Sequence, residues 1–163
     1  LGTVYGLGDT YSRLRMDLVV NVMTMKAIKY GKLQVNSGNQ YRPIISVKDI
    51  GEYVTEACLR KIRGTYALAY KNTTIKDLGE EVARLIPNTK IEYSQMNFQD
   101  ARNYRVDNSK SLNTFNYKPC VSVEEEVLRM KKMFEEGRIK NGEDLIYHNG
   151  MFLKNKKEQG INY

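Results

Sequence analysis

The chain has 163 residues, of which 41% are hydrophobic and 28% charged, a balance that excludes disorder and fibrous repeats and fits one domain. Lysine and arginine outnumber aspartate and glutamate by 26 to 19, and the net charge of +7 favours anionic partners such as nucleic acid, anionic lipid or a phosphorylated small molecule. No apolar run approaches the roughly 20 residues that span a bilayer, and the two cysteines, Cys58 and Cys120, are too few for a secreted disulfide framework.

The chain opens on Leu1 rather than methionine, and Leu1 to Tyr5 reads as a buried strand already under way, so a piece of a longer protein is expected. Gly6 ends that strand. Leu7 to Ser12 is turn chemistry, with Asp9 and Ser12 able to bond nearby backbone. Apolar residues at Leu14, Leu18, Val22 and Met25, and again at Val19, Met23 and Ala27, predict a helix over 14–28 that stops near Gly31. Leu33 to Val35 is a short strand, Asn36 to Gln40 a loop, and Pro43 to Val47 a second, β-branched strand. Asp49 is the expected cap of the next helix, with Glu52 as reciprocal partner and Ile50, Val54, Ala57 and Cys58 as the buried stripe. After Gly64, Thr65 to Tyr70 reads as a strand. Thr74 and Asp77 form a capping box for a helix striped by Ile75, Leu78, Val82 and Leu85, which Pro87 closes. Lys90 to Tyr93 is another strand, 95–103 a polar loop, Arg105-Val106 extended and Asn108 to Phe115 a short helix. Ser122 and Glu125 cap the last clear helix, whose stripe is Val123, Val127, Met130 and Phe134, with Gly137 at its C-terminal turn. Beyond Arg138 the tail has little periodicity and is expected to be irregular. The fold class is α/β, without a complete βαβαβ nucleotide-binding unit.

Chemistry is sparse at the level of single motifs. There is no G-x-G-x-x-G, no P-loop, no Cys/His cluster and no nucleophile elbow. His148, the one histidine, reads as a surface residue, and both cysteines as buried, reduced thiols. The basic residues are scattered, and Lys154, Lys156 and Lys157 are a short cluster, so neither nucleic acid nor a membrane is expected as partner. What remains is arginines beside strands. Arg42 directly precedes a strand and Arg102 lies in the polar loop; two guanidinium forks converging would clamp a diphosphate.

Three stretches, in order, carry a resemblance. Leu1-Gly-Thr-Val-Tyr-Gly6 resembles the strand and turn that follow Tyr-x-x-x-Lys in extended short-chain dehydrogenases, the NAD-dependent epimerase/dehydratase family. Gly31-Lys-Leu-Gln-Val-Asn-Ser-Gly-Asn-Gln-Tyr-Arg42-Pro-Ile-Ile-Ser-Val-Lys-Asp49 is similar to that family's strand, turn, second strand and helix start. Asp100-Ala-Arg102-Asn-Tyr104-Arg-Val-Asp107-Asn-Ser-Lys110, with Phe115-Asn-Tyr-Lys-Pro119, resembles its later substrate loop. The similarity covers about residues 1–137.

The resemblance implies the C-terminal part of a Rossmann-type NAD(P)-binding domain interwoven with a small α/β substrate-binding lobe. Residues 1–137 would be that half and 138–163 an irregular tail. It implies a nucleoside-diphosphate sugar as substrate and NAD or NADP as cofactor, held mainly by an upstream half with the glycine-rich loop and Tyr-x-x-x-Lys. Arg42 and Arg102 would hold the diphosphate. Asp17 and Leu18 would touch the nucleotide, Leu33 and Val35 would pack on its base, and Tyr104 would stand close to the substrate. Thr3 stands where many members carry an asparagine that donates to the phosphate. Leu1, Gly2, Tyr5 and Gly6 would line the nicotinamide end of the cofactor cleft. The whole enzyme would be a cytoplasmic epimerase or dehydratase, with a homodimer possible, and residues 1–163 alone would be inactive. The alternative is a non-catalytic nucleotide-sugar-binding module or partner subunit.

Overall fold

The computed structural model describes residues 1–9, 11–36, 38–94 and 102–158. The expected loop at 95–101, with Asp100, and Thr10 and Ser37 of the expected turns lie outside the described residues. The order of elements is β1 (Thr3–Tyr5), α1 (Val19–Tyr30), β2 (Lys32–Asn36), β3 (Tyr41–Ser46), α2 (Val47–Leu59), β4 (Lys71–Thr74), α3 (Ile75–Leu85), β5 (Lys90–Ser94), α4 (Ser109–Thr114) and α5 (Val123–Glu135). A 3-10 turn (Leu145–Tyr147) and α6 (Asn149–Glu158) follow. This is a mixed α/β architecture with two small sheets. In one, β3 lies between a parallel β1, with Val4 opposite Ile45, and an antiparallel β4, with Tyr41 opposite Thr74. In the other, β2 and β5 are parallel, with Leu33 opposite Ile91.

Strand alternation distributes two cores. Ile44 on β3 faces a large core built from α1, α3 and α5 with Leu33, Val35 and Met130, while its neighbour Ile45 faces a small one with Tyr53 of α2, Leu68 and Phe115. Tyr53 meets Phe115 and Tyr117 edge to face, at 5.0 and 5.4 Å between ring centres. The caps at Thr74 and Ser122 form as the sequence predicts: Thr74 Oγ1 accepts from Asp77 N–H at 3.0 Å and Ser122 Oγ from Glu125 N–H at 3.1 Å. Gly137 closes α5 at a φ of 70°.

Several expectations change. The first helix begins at Val19, not Leu14. Met16 N–H is committed to the Tyr147 carbonyl at 2.8 Å and Asn21 Nδ2 donates to the Arg15 carbonyl at 2.9 Å, so these backbone groups are satisfied outside a helix. Ser46, not Asp49, caps α2, its Oγ accepting from Lys48 N–H at 3.2 Å. Asp49 lies inside the helix and is fully buried; its Oδ1 accepts from Tyr117 Oη at 2.6 Å and from Cys120 N–H at 3.1 Å. The buried stripe of α2 is Tyr53 with partly buried Ile50 and Ala57, and Val54 and Cys58 face outward. Cys120 is exposed as well, so the thiols are free but not buried. Thr65 to Tyr70 makes isolated bonds, Gly2 N–H to the Leu68 carbonyl and Tyr70 N–H to the Ile44 carbonyl, rather than a ladder; the paired strand is Lys71–Thr74. Val106 is held by the Asn72 side chain and joins no strand. Of the expected irregular tail, 138–158 is described and it is ordered: Ile139 enters the large core and α6 follows; 159–163 lie outside the described residues.

The turn after β1 is anchored by a charge. Glu126 on α5 has no exposed surface; its Oε2 accepts from Leu7 N–H at 3.0 Å and its Oε1 from Arg129 at 2.6 Å, while Arg129 also donates to the Leu7 carbonyl. Gly6, at φ 81°, lies so close that a Cβ there would stand 2.5 Å from Glu126 Oε2. A buried carboxylate stripped of its cation is strongly destabilising. Arg129→Met is therefore expected to cost about 3 kcal/mol in chemical unfolding. Adding Glu126→Gln should return part of that loss, because the amide keeps the acceptor for Leu7 without the charge. Strictly additive losses in the double variant would rule the pairing out.

Candidate functional site

A cleft of about 1000 Å³ opens where the strand ends of the first sheet meet α1 and β2. Of the residues the sequence singled out, Gly2, Thr3, Asp17, Leu18 and Leu33 line it, together with Arg42 and Arg102. The fold brings these together from 100 residues of chain because β1 and β3 are neighbours, because Asp17 and Leu18 form the turn into α1, and because the segment after residue 101 is laid across β3. Tyr41 N–H donates to Asn103 Oδ1 at 2.9 Å, which fixes that crossing.

Arg42 is 6% exposed, and its guanidinium donates to the Tyr41 carbonyl at 2.9 Å and to the backbone carbonyl of Arg102. The expected convergence of two guanidinium forks therefore takes a different form: Arg42 grips the main chain at Arg102, whose own side chain is exposed. Tyr104 does not line the cleft; it stands over Arg42, with the guanidinium carbon 5.7 Å from the ring centre. Asp17 is held by Arg15 through two bonds, at 2.9 and 3.0 Å. Burial works to raise the Asp17 carboxyl, but the Arg15 bond and charge outweigh it and the net shift is downward.

The other singled-out residues fall elsewhere. Val35 is 1% exposed and packs in the large core against Gly79, where an added Cβ would come within 2.9 Å of Val35 Cγ2. Tyr5 is also a core side chain, fully buried, with its Oη donating to the Val121 carbonyl at 2.5 Å; burial pushes its phenol up. Gly6 turns toward Glu126, and its N–H donates to Asn21 Oδ1 at 2.9 Å. Leu1 is exposed, and the carbonyl of Pro43 lies 3.1 Å from where a Gly2 Cβ would be, so Gly2 permits close strand contact. A nicotinamide cofactor would thus find Gly2 at the cleft, but not the side chain of Tyr5. Among the described residues no group of three or more His, Cys, Asp or Glu is arranged to hold a metal ion, and no helix is long and apolar enough to cross a membrane.

Sequence reasoning missed the tail. Glu143, His148 and Met151 line the same cleft. They are held there by Arg13 Nη1 donating to the Ile146 carbonyl at 2.6 Å, by the Met16–Tyr147 backbone bond, and by Asn149 N–H donating to Asp17 Oδ2 at 3.3 Å. At the far end of α1, Lys29 and Tyr30 bond Glu143. No apolar period marks 138–148, because this segment docks through backbone carbonyls and polar side chains; Lys26, on the exposed flank of α1, was also passed over.

Two carboxylates of this docking have lowered pKa values, Asp17 as above and Glu143 through its bonds to Lys29 and Tyr30. A carboxyl depressed in the folded chain contributes above its ordinary value and stops contributing as pH falls through the depressed one. Tail docking should therefore hold down to the ordinary values of 4.5 for Glu143 and 3.8 for Asp17 and weaken below them. Chemical shifts of the Asn149 amide followed across an acid titration check this. An amide that senses no change below the lower value, while the core stays folded, would speak against it.

The sequence matches no protein-family model and no curated protein. Solved structures are similar in fold. The NAD-dependent NDP-hexosamine 5,6-dehydratase TunA of tunicamycin biosynthesis superposes with a TM-score of 0.67 at 15% identity, over 83% of this chain and 44% of its own. ADP-L-glycero-D-manno-heptose-6-epimerase of Helicobacter pylori gives 0.66 at 15% identity, over 82% of this chain and 42% of its own. UDP-glucose 4-epimerase of Thermotoga maritima, solved with UDP-glucose, gives 0.63 at 21% identity, over 84% of this chain and 45% of its own. The chain spans less than half the length of each. Over most of its own length it shares the Rossmann-like fold of NAD-dependent epimerases and dehydratases.

Proposed function

We propose that this chain is the sugar-nucleotide-binding lobe of an NAD(P)-dependent nucleotide-sugar epimerase or dehydratase. The observation that carries the reading is the cleft in which Arg42 and Arg102 meet Thr3, Asp17 and Leu33. A diphosphate needs fixed cationic donors, and a flat base needs an apolar wall. Both are present, and the solved structures that share the fold include an epimerase in complex with UDP-glucose.

In this reading Arg42 meets the diphosphate from within the protein, where its low exposure strengthens the interaction. Arg102 approaches from the exposed loop, and Thr3 offers a hydroxyl. Leu33 and Leu18 exclude water from the nucleoside. The chain's part in the reaction is to hold the sugar in one orientation. The nicotinamide group supplies hydride transfer when bound, and Gly2 at the end of the cleft is the residue of this chain nearest in character to such a contact. The glycine-rich loop and the Tyr-x-x-x-Lys pair do not occur in the sequence. The whole enzyme would take NAD or NADP, act in the cytoplasm and pair as a homodimer, whereas residues 1–163 alone would turn nothing over.

The test is thermal stabilisation by UDP-, GDP-, CDP- and dTDP-sugars. At least one should raise the melting temperature, and Arg42→Ala should weaken its binding about ten- to a hundredfold, the range for losing a charge-assisted hydrogen bond. Arg102→Ala should weaken it as well. An Arg42→Ala variant that binds as well as the parent would remove Arg42 from the phosphate site.

A further inference from the structure

The cleft carries two chemically different sets of side chains. One set is cationic: Arg42 from β3 and Arg102 from the loop laid across it. The other comes from α1, the turn before it and the tail, and beside Lys26 and Glu143 it holds four thioethers and one imidazole: Met16, Met23 and Met25 with Met151, and His148. Met16, Met23 and Met25 are nearly or fully buried, while Met151 is 54% exposed, an unusual position for a thioether that only fills space.

His148 is set in place. Its Nε2 donates to the Gly142 carbonyl at 3.1 Å, which fixes the orientation of the ring. Gly142 itself is pressed on α1, where an added Cβ would stand 2.6 Å from Met25 Cγ. His148 directly precedes α6, its carbonyl accepting from Phe152 N–H at 2.8 Å, three residues before Met151. The ring is thus fixed between the helix that carries Met151 and, through Gly142, the α1 residue Met25.

A polarisable thioether wall beside an oriented imidazole suits a flat heteroaromatic ring, through sulfur–aromatic contact and ring stacking. The guanidinium set suits a pyrophosphate. The ligand class that satisfies both at once is a nucleoside diphosphate. From this we infer that the C-terminal segment is the nucleoside-binding wall of the cleft, with His148 and Met151 as the residues that hold the base. The inference rests on the reading above for the diphosphate, and adds the residues that hold the other end of the ligand.

The experiment uses the full chain and three probes, UDP, ADP and inorganic pyrophosphate, with affinities measured by calorimetry. The parent should bind all three. The double variant His148→Ala/Met151→Ala should bind UDP or ADP about tenfold more weakly, the combined scale of one ring-stacking and one sulfur–aromatic contact. Its affinity for pyrophosphate should stay within about twofold of the parent's. His148→Phe, which keeps a flat ring, should recover part of the loss for the nucleotides. Equal weakening for nucleotide and pyrophosphate would mean that the tail only supports the fold, and would overturn the inference while leaving the diphosphate site standing. Unchanged nucleotide affinity in the double variant would overturn it too. A parent chain that binds none of the three probes would overturn both readings.

Discussion

The cleft depends on one buried charge. Glu126 reaches from α5 to the turn after β1, and the main chain at Gly6 and Leu7 can follow its path only while that carboxylate accepts Leu7 N–H and is itself neutralised by Arg129. Taking such a group out of water costs far more than a surface pair returns. The arrangement is offset because three needs are met together: the orphan N–H of the turn, the charge of the glutamate and the Leu7 carbonyl that Arg129 also holds. Asn21 performs the matching task from α1, joining Gly6 N–H to the Arg15 carbonyl. The end of β1 and the entry to α1 are thereby fixed to each other, and Thr3, Asp17 and Leu18 share one cleft as a consequence.

The second constraint is the docking of the tail. A segment with little apolar surface cannot bury enough area to hold itself in place, so 138–148 uses directional bonds. Met16 N–H, just ahead of α1, takes the Tyr147 carbonyl. Asp17 divides itself between Arg15 and Asn149. Residues 14–18 stay outside the helix, and from there Met16 N–H and the Asp17 carboxylate reach the C-terminal segment.

That coupling explains what the sequence made legible. Helices with strong stripes and local caps, α3 and α5, could be read from Thr74, Ser122 and the spacing of their apolar residues, because everything needed lies within a few positions. Thr3 and Leu33 lie on strands that the apolar pattern marks, and Arg42 directly before the β-branched run at Pro43, so the strands that carry these cleft residues were legible. The start of α1, the role of Asp49 and the position of His148 depend on partners 60 to 130 residues away, which no local period records. Asp49 looked like a cap because a carboxylate beside a helix start usually is one; burial against Tyr117 and Cys120 gave it another task. Val35 and Tyr5 show the converse case, being buried side chains in segments picked out for a site. Each lies two residues beyond a cleft residue on the same strand face, Val35 after Leu33 and Tyr5 after Thr3, and at these positions the face is covered by the core, by Gly79 at Val35 and by the Val121 carbonyl at Tyr5.

The net charge of +7 gains meaning from the same geometry. Much of the exposed lysine is engaged locally, as in the helical pairs Lys76–Glu80, Lys131–Glu135 and Lys132–Glu136, and such pairs are worth little and set no binding preference. Arg42 differs in kind. It sits at 6% exposure with its guanidinium on backbone carbonyls, in surroundings where a charge acts over short range at much greater strength than in water. The carbonyl oxygens of Tyr41 and Arg102 hold the guanidinium in one orientation, so the cost of ordering that long side chain has been met in folding.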